Sequence, residues 1–146
     1  MLDGPLPPEI GKLGDALAID ISANLLIGVI PPTLGSCIAL ESLNLSKNSL
    51  EGSIPDSLGY LQNLVNLDLS SNFLSGPIPI TLNKLKELQY LNLSFNNFKG
   101  EILKGEFSTN QTITISLIGN SGLCGPQVFS LPACPAQKNH FDVPGN

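Results

Sequence analysis

The stretch from Leu64 to Pro79 reads LVNLDLSSNFLSGPIP and contains each recurring feature of the chain. Aliphatic and polar residues alternate through Leu67-Asp68-Leu69-Ser70, which is the two-residue period of a strand with one buried face. Asn72 follows, and then an apolar residue, a glycine and an Ile-Pro pair come at fixed distances. The stretch therefore predicts a short strand, a tight turn and an extended return segment.

The same features recur every 24 residues along the chain. The recurring asparagines are Asn24, Asn48, Asn72 and Asn96. This period lies within the range of about 20 to 29 residues for leucine-rich repeats. We therefore predict an α/β-type repeat solenoid of 24-residue leucine-rich repeats, with short parallel β-strands and irregular or 3-10 return segments. The asparagines should turn inward and bond backbone groups that the turn leaves unpaired.

The repeat offsets divide the chain. Leu103 stands where the earlier repeats have a proline, so we expect the repeats to stop there. The predicted units are an incomplete N-terminal repeat at 1–15, repeats at 16–39, 40–63 and 64–87, a last repeat at 88–106, a C-terminal cap at 107–135 and a polar tail at 136–146.

Composition argues against several functions. The net charge of -5 provides no basic surface for phosphates, so we expect no nucleic-acid partner. No apolar run of about 18 residues occurs, and the first residues are rich in proline and charge, so we expect neither membrane insertion by this chain itself nor a signal peptide in it. Catalytic, cofactor-binding and metal-binding motifs are also missing, which predicts a protein without cofactors that is not an enzyme.

Two segments carry a family resemblance. The string Leu64–Gly76, followed by Pro77-Ile78-Pro79, resembles the repeat of plant leucine-rich-repeat receptors, and this likeness covers residues 1 to about 105. Residues 107–135 resemble the C-terminal cap of receptor-kinase ectodomains, above all those of the immune-receptor subfamily. In that cap an N-x-x-L-C-G string, here Asn120–Gly125, is followed by a second cysteine, here Cys134.

The resemblance implies several properties of the chain. It implies a second short strand in each repeat, a Cys124–Cys134 disulfide that closes the cap, and an oxidising compartment. By contrast, Cys37 takes the offset of a repeat leucine and should be a buried thiol. The chain would be a C-terminal ectodomain segment of a receptor-like serine/threonine kinase at the extracellular face of the plasma membrane, with a juxtamembrane-like tail. The kinase domain of that longer receptor is absent from this chain.

The family resemblance implies binding rather than catalysis. Its partners would be a peptide or protein ligand, in signalling or defence, and a co-receptor kinase ectodomain. Two alternatives remain open, namely a secreted leucine-rich-repeat inhibitor of wall-degrading enzymes and a receptor-like protein without a kinase.

The residues between and just after the strand leucines are free to vary and should form an open, concave face. We predict that partners contact six of them, Ser42, Lys47, Asn66, Asp68, Tyr90 and Phe95. Tyr90 and Phe95 are the predicted anchors, because exposed aromatic residues often dominate interfaces. Three N-glycosylation sequons begin at Asn44, Asn92 and Asn110, of which Asn110 lies outside the repeats and is the preferred acceptor.

Overall fold

Each repeat forms one coil with a strand on either side of its asparagine turn. The computed structural model describes residues 1–103, 107 and 113–136. Its strands are β1 (Asp3–Pro5), β2 (Ala18–Asp20), β3 (Leu25–Val29), β4 (Ser42–Asn44), β5 (Ser49–Gly52), β6 (Asn66–Asp68), β7 (Phe73–Gly76), β8 (Tyr90–Asn92), β9 (Asn97–Glu101), β10 (Thr114–Ser116) and β11 (Gly122–Cys124). Short 3-10 helices span Pro8–Lys12, Pro32–Ser36, Asp56–Tyr60, Ile80–Lys84 and Gln127–Phe129.

The strands form two parallel sheets. The inner sheet has the order β10-β8-β6-β4-β2, and the outer sheet has the order β1-β3-β5-β7-β9-β11. Strand pairs in the inner sheet join residues 24 apart, such as Leu43 with Leu67. The predicted solenoid is therefore confirmed, and so is the second strand in each repeat that the resemblance implied.

The core is a stack of equivalent aliphatic side chains. Leu43, Leu67 and Leu91 occupy the middle of three neighbouring inner strands and are fully buried. The 3-10 helices close the opposite side with Leu34, Leu58 and Leu82. Cys37 lies in the same core as a free thiol, as predicted, and desolvation by burial raises its pKa.

A ladder of buried asparagine amides joins each coil to its neighbours. The Nδ2 atom of Asn72 donates to the carbonyl oxygens of Leu45, Leu69 and Ser70, while its Oδ1 atom accepts from the backbone N–H of Leu50. Asn48 and Asn96 make the equivalent bonds. These amides satisfy backbone groups in two coils at once. The prediction that the asparagines turn inward and bond the backbone is therefore confirmed.

The repeat geometry continues beyond the point where the sequence pattern changes. Strand β10 pairs with β8 at the same 24-residue offset, and Asn120 bonds the backbone of Leu93, Leu117 and Phe98 as the ladder asparagines do. The sequence interpretation did not include this fifth ladder asparagine. The boundaries proposed for the last repeat and the cap stay a proposal.

A disulfide between Cys124 and Cys134 closes the C-terminal end, as the family resemblance implied. Cys124 ends β11, which pairs with β9 and covers the last repeat. The register there places Gly122 beside Lys99, an offset of 23, whereas Gly28 lies beside Leu50, an offset of 22. The cap thus departs from the repeat by one residue where the disulfide begins.

Candidate binding surface

The open face of the inner sheet presents side chains in columns that run across the strands. We call these the first and third columns, after their position in each strand. The first contains Ala18, Ser42, Asn66, Tyr90 and Thr114, and the third contains Asp20, Asn44, Asp68, Asn92 and Ser116. Parallel strands lie about 4.8 Å apart, so neighbouring side chains within a column are close enough to contact one partner together.

Local hydrogen bonds fix the third column against the strand ends. The Oδ1 atom of Asp68 accepts from the backbone N–H of Ser70 at 3.0 Å and from its hydroxyl at 2.6 Å, and Asn92 holds Ser94 in the same way. At Asp20 the equivalent bonds from the hydroxyl and backbone N–H of Ser22 lower the pKa of the carboxyl group. The column is thereby ordered before any partner arrives, which reduces the entropy lost on binding.

A further column follows the carboxyl ends of the strands, where the backbone has positive φ. This positive-φ column contains Ala23, Lys47, Ser71 and Phe95, with φ between 55° and 57°. Gly119 continues it in the cap. Residues other than glycine adopt this left-handed conformation infrequently, and Phe95 is the bulkiest of the four that share it here.

The structure places all six predicted contact residues on this face. Ser42, Asn66 and Tyr90 are direct neighbours in the first column, Asp68 lies in the third, and Lys47 and Phe95 lie in the positive-φ column. Tyr90 is 36% exposed, and its hydroxyl oxygen accepts a hydrogen bond from the Asn92 amide. Phe95 is 58% exposed. Their role in binding stays a prediction.

Sequence reasoning missed one apolar residue at this surface. Ile118 is 63% exposed, and its carbonyl oxygen accepts from the backbone N–H of Phe95. It takes the offset held by serines in the repeats, including Ser94. The 24-residue spacing between Asn96 and Asn120 was the signal that could have placed Ile118 on the open face.

The sequons differ in their surroundings. Asn44 and Asn92 both lie in the third column, and the Asn92 amide is already engaged with Tyr90 and Ser94. A glycan on either asparagine would therefore occupy the open face. Asn110 lies outside the described residues, and glycosylation at all three positions stays a prediction.

Two structural features are absent from the described residues. Within residues 1–103, 107 and 113–136, no group of three or more His, Cys, Asp or Glu side chains could hold a metal ion. The same residues include no helix of the length and apolarity needed to cross a membrane.

The class of protein follows from the repeated coils and from a direct family match. The leucine-rich-repeat family model matches residues 18–74 and 40–98, which together cover more than half of the chain. The chain therefore belongs to the leucine-rich-repeat family. No curated protein matches the chain significantly in sequence.

Solved structures of several plant receptor kinases are similar to the chain, as is that of a plant ice-binding protein. The SOBIR1 ectodomain from Arabidopsis thaliana is 37% identical with a TM-score of 0.79, and the match covers 86% of this chain and 68% of that one. In the BIR3–SERK2 complex from the same plant, the matched chain is 35% identical with a TM-score of 0.77, covering 92% and 69%. The plant peptide hormone receptor RGFR1, solved with RGF2, is 38% identical with a TM-score of 0.73, covering 84% and 19%. The chain is thus similar to ectodomains of plant receptor kinases.

Proposed function

We propose that this chain is a non-enzymatic binding segment of a plant receptor ectodomain, which recognises a peptide or protein ligand and pairs with a co-receptor ectodomain. One observation carries the proposal. The inner sheet presents columns of polar side chains, and two exposed aromatic residues, Tyr90 and Phe95, lie among them near the C-terminal end of the face and outside the buried core. Such a surface combines hydrogen-bonding groups with anchors.

Two of the similar structures contain a partner and indicate which classes of partner this chain would bind. RGFR1 was solved with RGF2, and the BIR3 structure is a complex with SERK2. We infer that this chain acts in the same setting, at the extracellular face of a plasma membrane and joined to a kinase elsewhere in the receptor. The secreted inhibitor and the receptor without a kinase share the fold, and the cap's likeness to kinase-bearing receptors favours the receptor kinase.

The proposal is tested by titrating the chain with the SERK2 ectodomain as a co-receptor probe. The structure offers matched controls, because Tyr60 and Phe73 are 61% and 59% exposed but lie on a return segment and on the outer sheet. Tyr90→Ala and Phe95→Ala should each weaken binding about thirtyfold, the effect of losing about 2 kcal/mol at an anchor.

The control variants Tyr60→Ala and Phe73→Ala should leave the affinity unchanged. All four variants should keep the melting temperature within a few degrees of the parent, since none of the four side chains is buried. No binding to the co-receptor ectodomain, or equal losses for the inner and control aromatics, would contradict the proposal.

A further inference from the structure

The apolar end of the open face is built jointly by the last repeat and the cap. The backbone N–H of Phe95 donates to the carbonyl oxygen of Ile118 at 2.9 Å, which holds the two residues side by side. Both side chains are more than half exposed. We call this pair the apolar shelf.

Gly119 determines where the Phe95 ring lies. A Cβ atom at Gly119 would stand 2.5 Å from Cδ1 of Phe95 and 3.0 Å from both its Cε1 and its backbone nitrogen, so the ring rests directly over this glycine. Gly119 also has a φ of 80°, a conformation that glycine adopts without strain. Any side chain at this position would have to displace the ring.

Lys47 is the other long side chain in the positive-φ column. The backbone N–H of Lys47 bonds the carbonyl of Ser70, and that of Ser71 bonds the carbonyl of Ser94, so Lys47, Ser71 and Phe95 follow one another in register. Lys47 and Phe95 are therefore two strand spacings apart, about 9.6 Å at 4.8 Å per strand. Ser71 between them is too small to obstruct a ligand.

The distance between Lys47 and Phe95 matches the repeat of a polyproline II peptide. A polyproline II chain rises about 3.1 Å per residue with three residues per turn, so side chains three positions apart lie on one side at about 9.3 Å. Building on the proposed function, we propose that the apolar shelf and Lys47 together dock an extended peptide segment with a bulky apolar residue and a carboxylate three positions apart. The apolar residue would cover Phe95 and Ile118, and the carboxylate would pair with the Lys47 ammonium group.

The test uses defined peptides in place of an unidentified ligand. Acetyl-Glu-Pro-Pro-Leu-amide and the reversed acetyl-Leu-Pro-Pro-Glu-amide are titrated to millimolar concentration into the ¹⁵N-labelled full chain and followed by NMR. At least one of the two peptides should shift the amide signals of Lys47, Ser71, Phe95 and Gly119. Replacing Glu by Gln should weaken binding up to about fivefold, the range for an exposed ion pair. Peptides with one or three prolines should bind at least about fivefold more weakly.

Variants of the chain separate the two contacts. Phe95→Ser and Ile118→Ser introduce the residue found at the same offsets in Ser71 and Ser94, and each should weaken the best peptide about tenfold or more. Lys47→Gln should remove the preference for Glu over Gln. Phe95→Ser should change the melting temperature little, because the ring is more than half exposed and Ser71 has the same backbone conformation one repeat earlier.

Gly119→Ala tests the position of the ring without removing any of its atoms. Its matched control is Gly28→Ala, because Gly28 has a φ of 77° and an added Cβ there meets only Pro5 at 3.5 Å. Both variants introduce alanine at positive φ, but only Gly119→Ala should weaken peptide binding, by about tenfold.

Two results would overturn the inference. One is no shift in any of these signals at millimolar peptide, and the other is equal binding for all peptide spacings. The proposed function would survive either result if Tyr90→Ala still weakened co-receptor binding, so the two failures are distinguishable.

Discussion

The two ends of the solenoid are finished differently. At the N-terminal end, Leu6 and Ile19 each keep 8% of their surface exposed, and β1 and β2 are the edge strands of their sheets. At the C-terminal end, β10 and β11 are the edge strands, but Leu123 of β11 is only 1% exposed and a disulfide holds that strand. In a repeat protein each coil is stabilised mainly by its neighbours. We therefore expect an equivalent residue to contribute more stability where its coil has a neighbour on both sides.

The ladder asparagines should show the largest difference between positions. Asn72 is buried and serves four backbone groups, whereas Asn24 is partly buried and serves three, of which the bond from Leu2 is exposed. Asn72→Ala should lower the free energy of unfolding by about 3 to 4 kcal/mol, because buried donors and acceptors lose their partners. Asn24→Ala should cost about 1 kcal/mol. Urea denaturation measures both, and equal losses would show that the ends do not differ in this way.

The disulfide at the C-terminal end should contribute somewhat less to the free energy of unfolding than Asn72 does. Cys124 and Cys134 are separated by 10 residues, for which loop-closure entropy gives about 2.7 kcal/mol. The double variant Cys124→Ser with Cys134→Ser should lose this amount, and a reductant should destabilise the parent equally while leaving the double variant unchanged. A reductant effect on the double variant would assign the stabilisation to some other group.

Mass spectrometry without reductant should find Cys37 as the free thiol, and a Cys37 crosslink would contradict the register.

Covering the N-terminal end should have the smallest effect of the three. A capping repeat fused before Met1 would bury the remaining surface of Leu6 and Ile19 and pair the edges of β1 and β2. We expect a gain of about 1 kcal/mol, or roughly 3 °C in melting temperature, together with less self-association. Thermal melting with light scattering measures both quantities. An uncapped chain that is monomeric, with a midpoint that the cap does not raise, would contradict this explanation.

Most of the fold could be predicted from the sequence because the repeat determines it locally. The strand leucines, the inward asparagines and the buried Cys37 all follow from offsets that recur every 24 residues. The disulfide and the second strand of each repeat required the family resemblance, since the spacing alone does not pair two cysteines.

The cap was harder to predict because its sequence keeps only part of the pattern. Ile115 and Leu117 retain the strand offsets, but the glycine comes one residue later, at Gly125, and the Ile-Pro pair is missing. Strand β11 shifts its register by the same one residue. The apolar shelf lies partly in this cap, where the 24-residue spacing from Asn96 to Asn120 was the one sequence signal that could have assigned Ile118 and Gly119 to the open face. The six contact residues, by contrast, follow from repeat offsets.

The central claim, that partners bind on the open face near its C-terminal end, is tested most directly by hydroxyl-radical footprinting of four exposed aromatic residues. The chain is oxidised with and without a saturating amount of the SERK2 ectodomain, and mass spectrometry measures the rate at each ring. Tyr90 and Phe95 should become protected in the complex, while Tyr60 and Phe73, which are similarly or more exposed in the free chain, should keep their rates. Protection of Tyr60 or Phe73 with unchanged rates at Tyr90 and Phe95 would contradict the account.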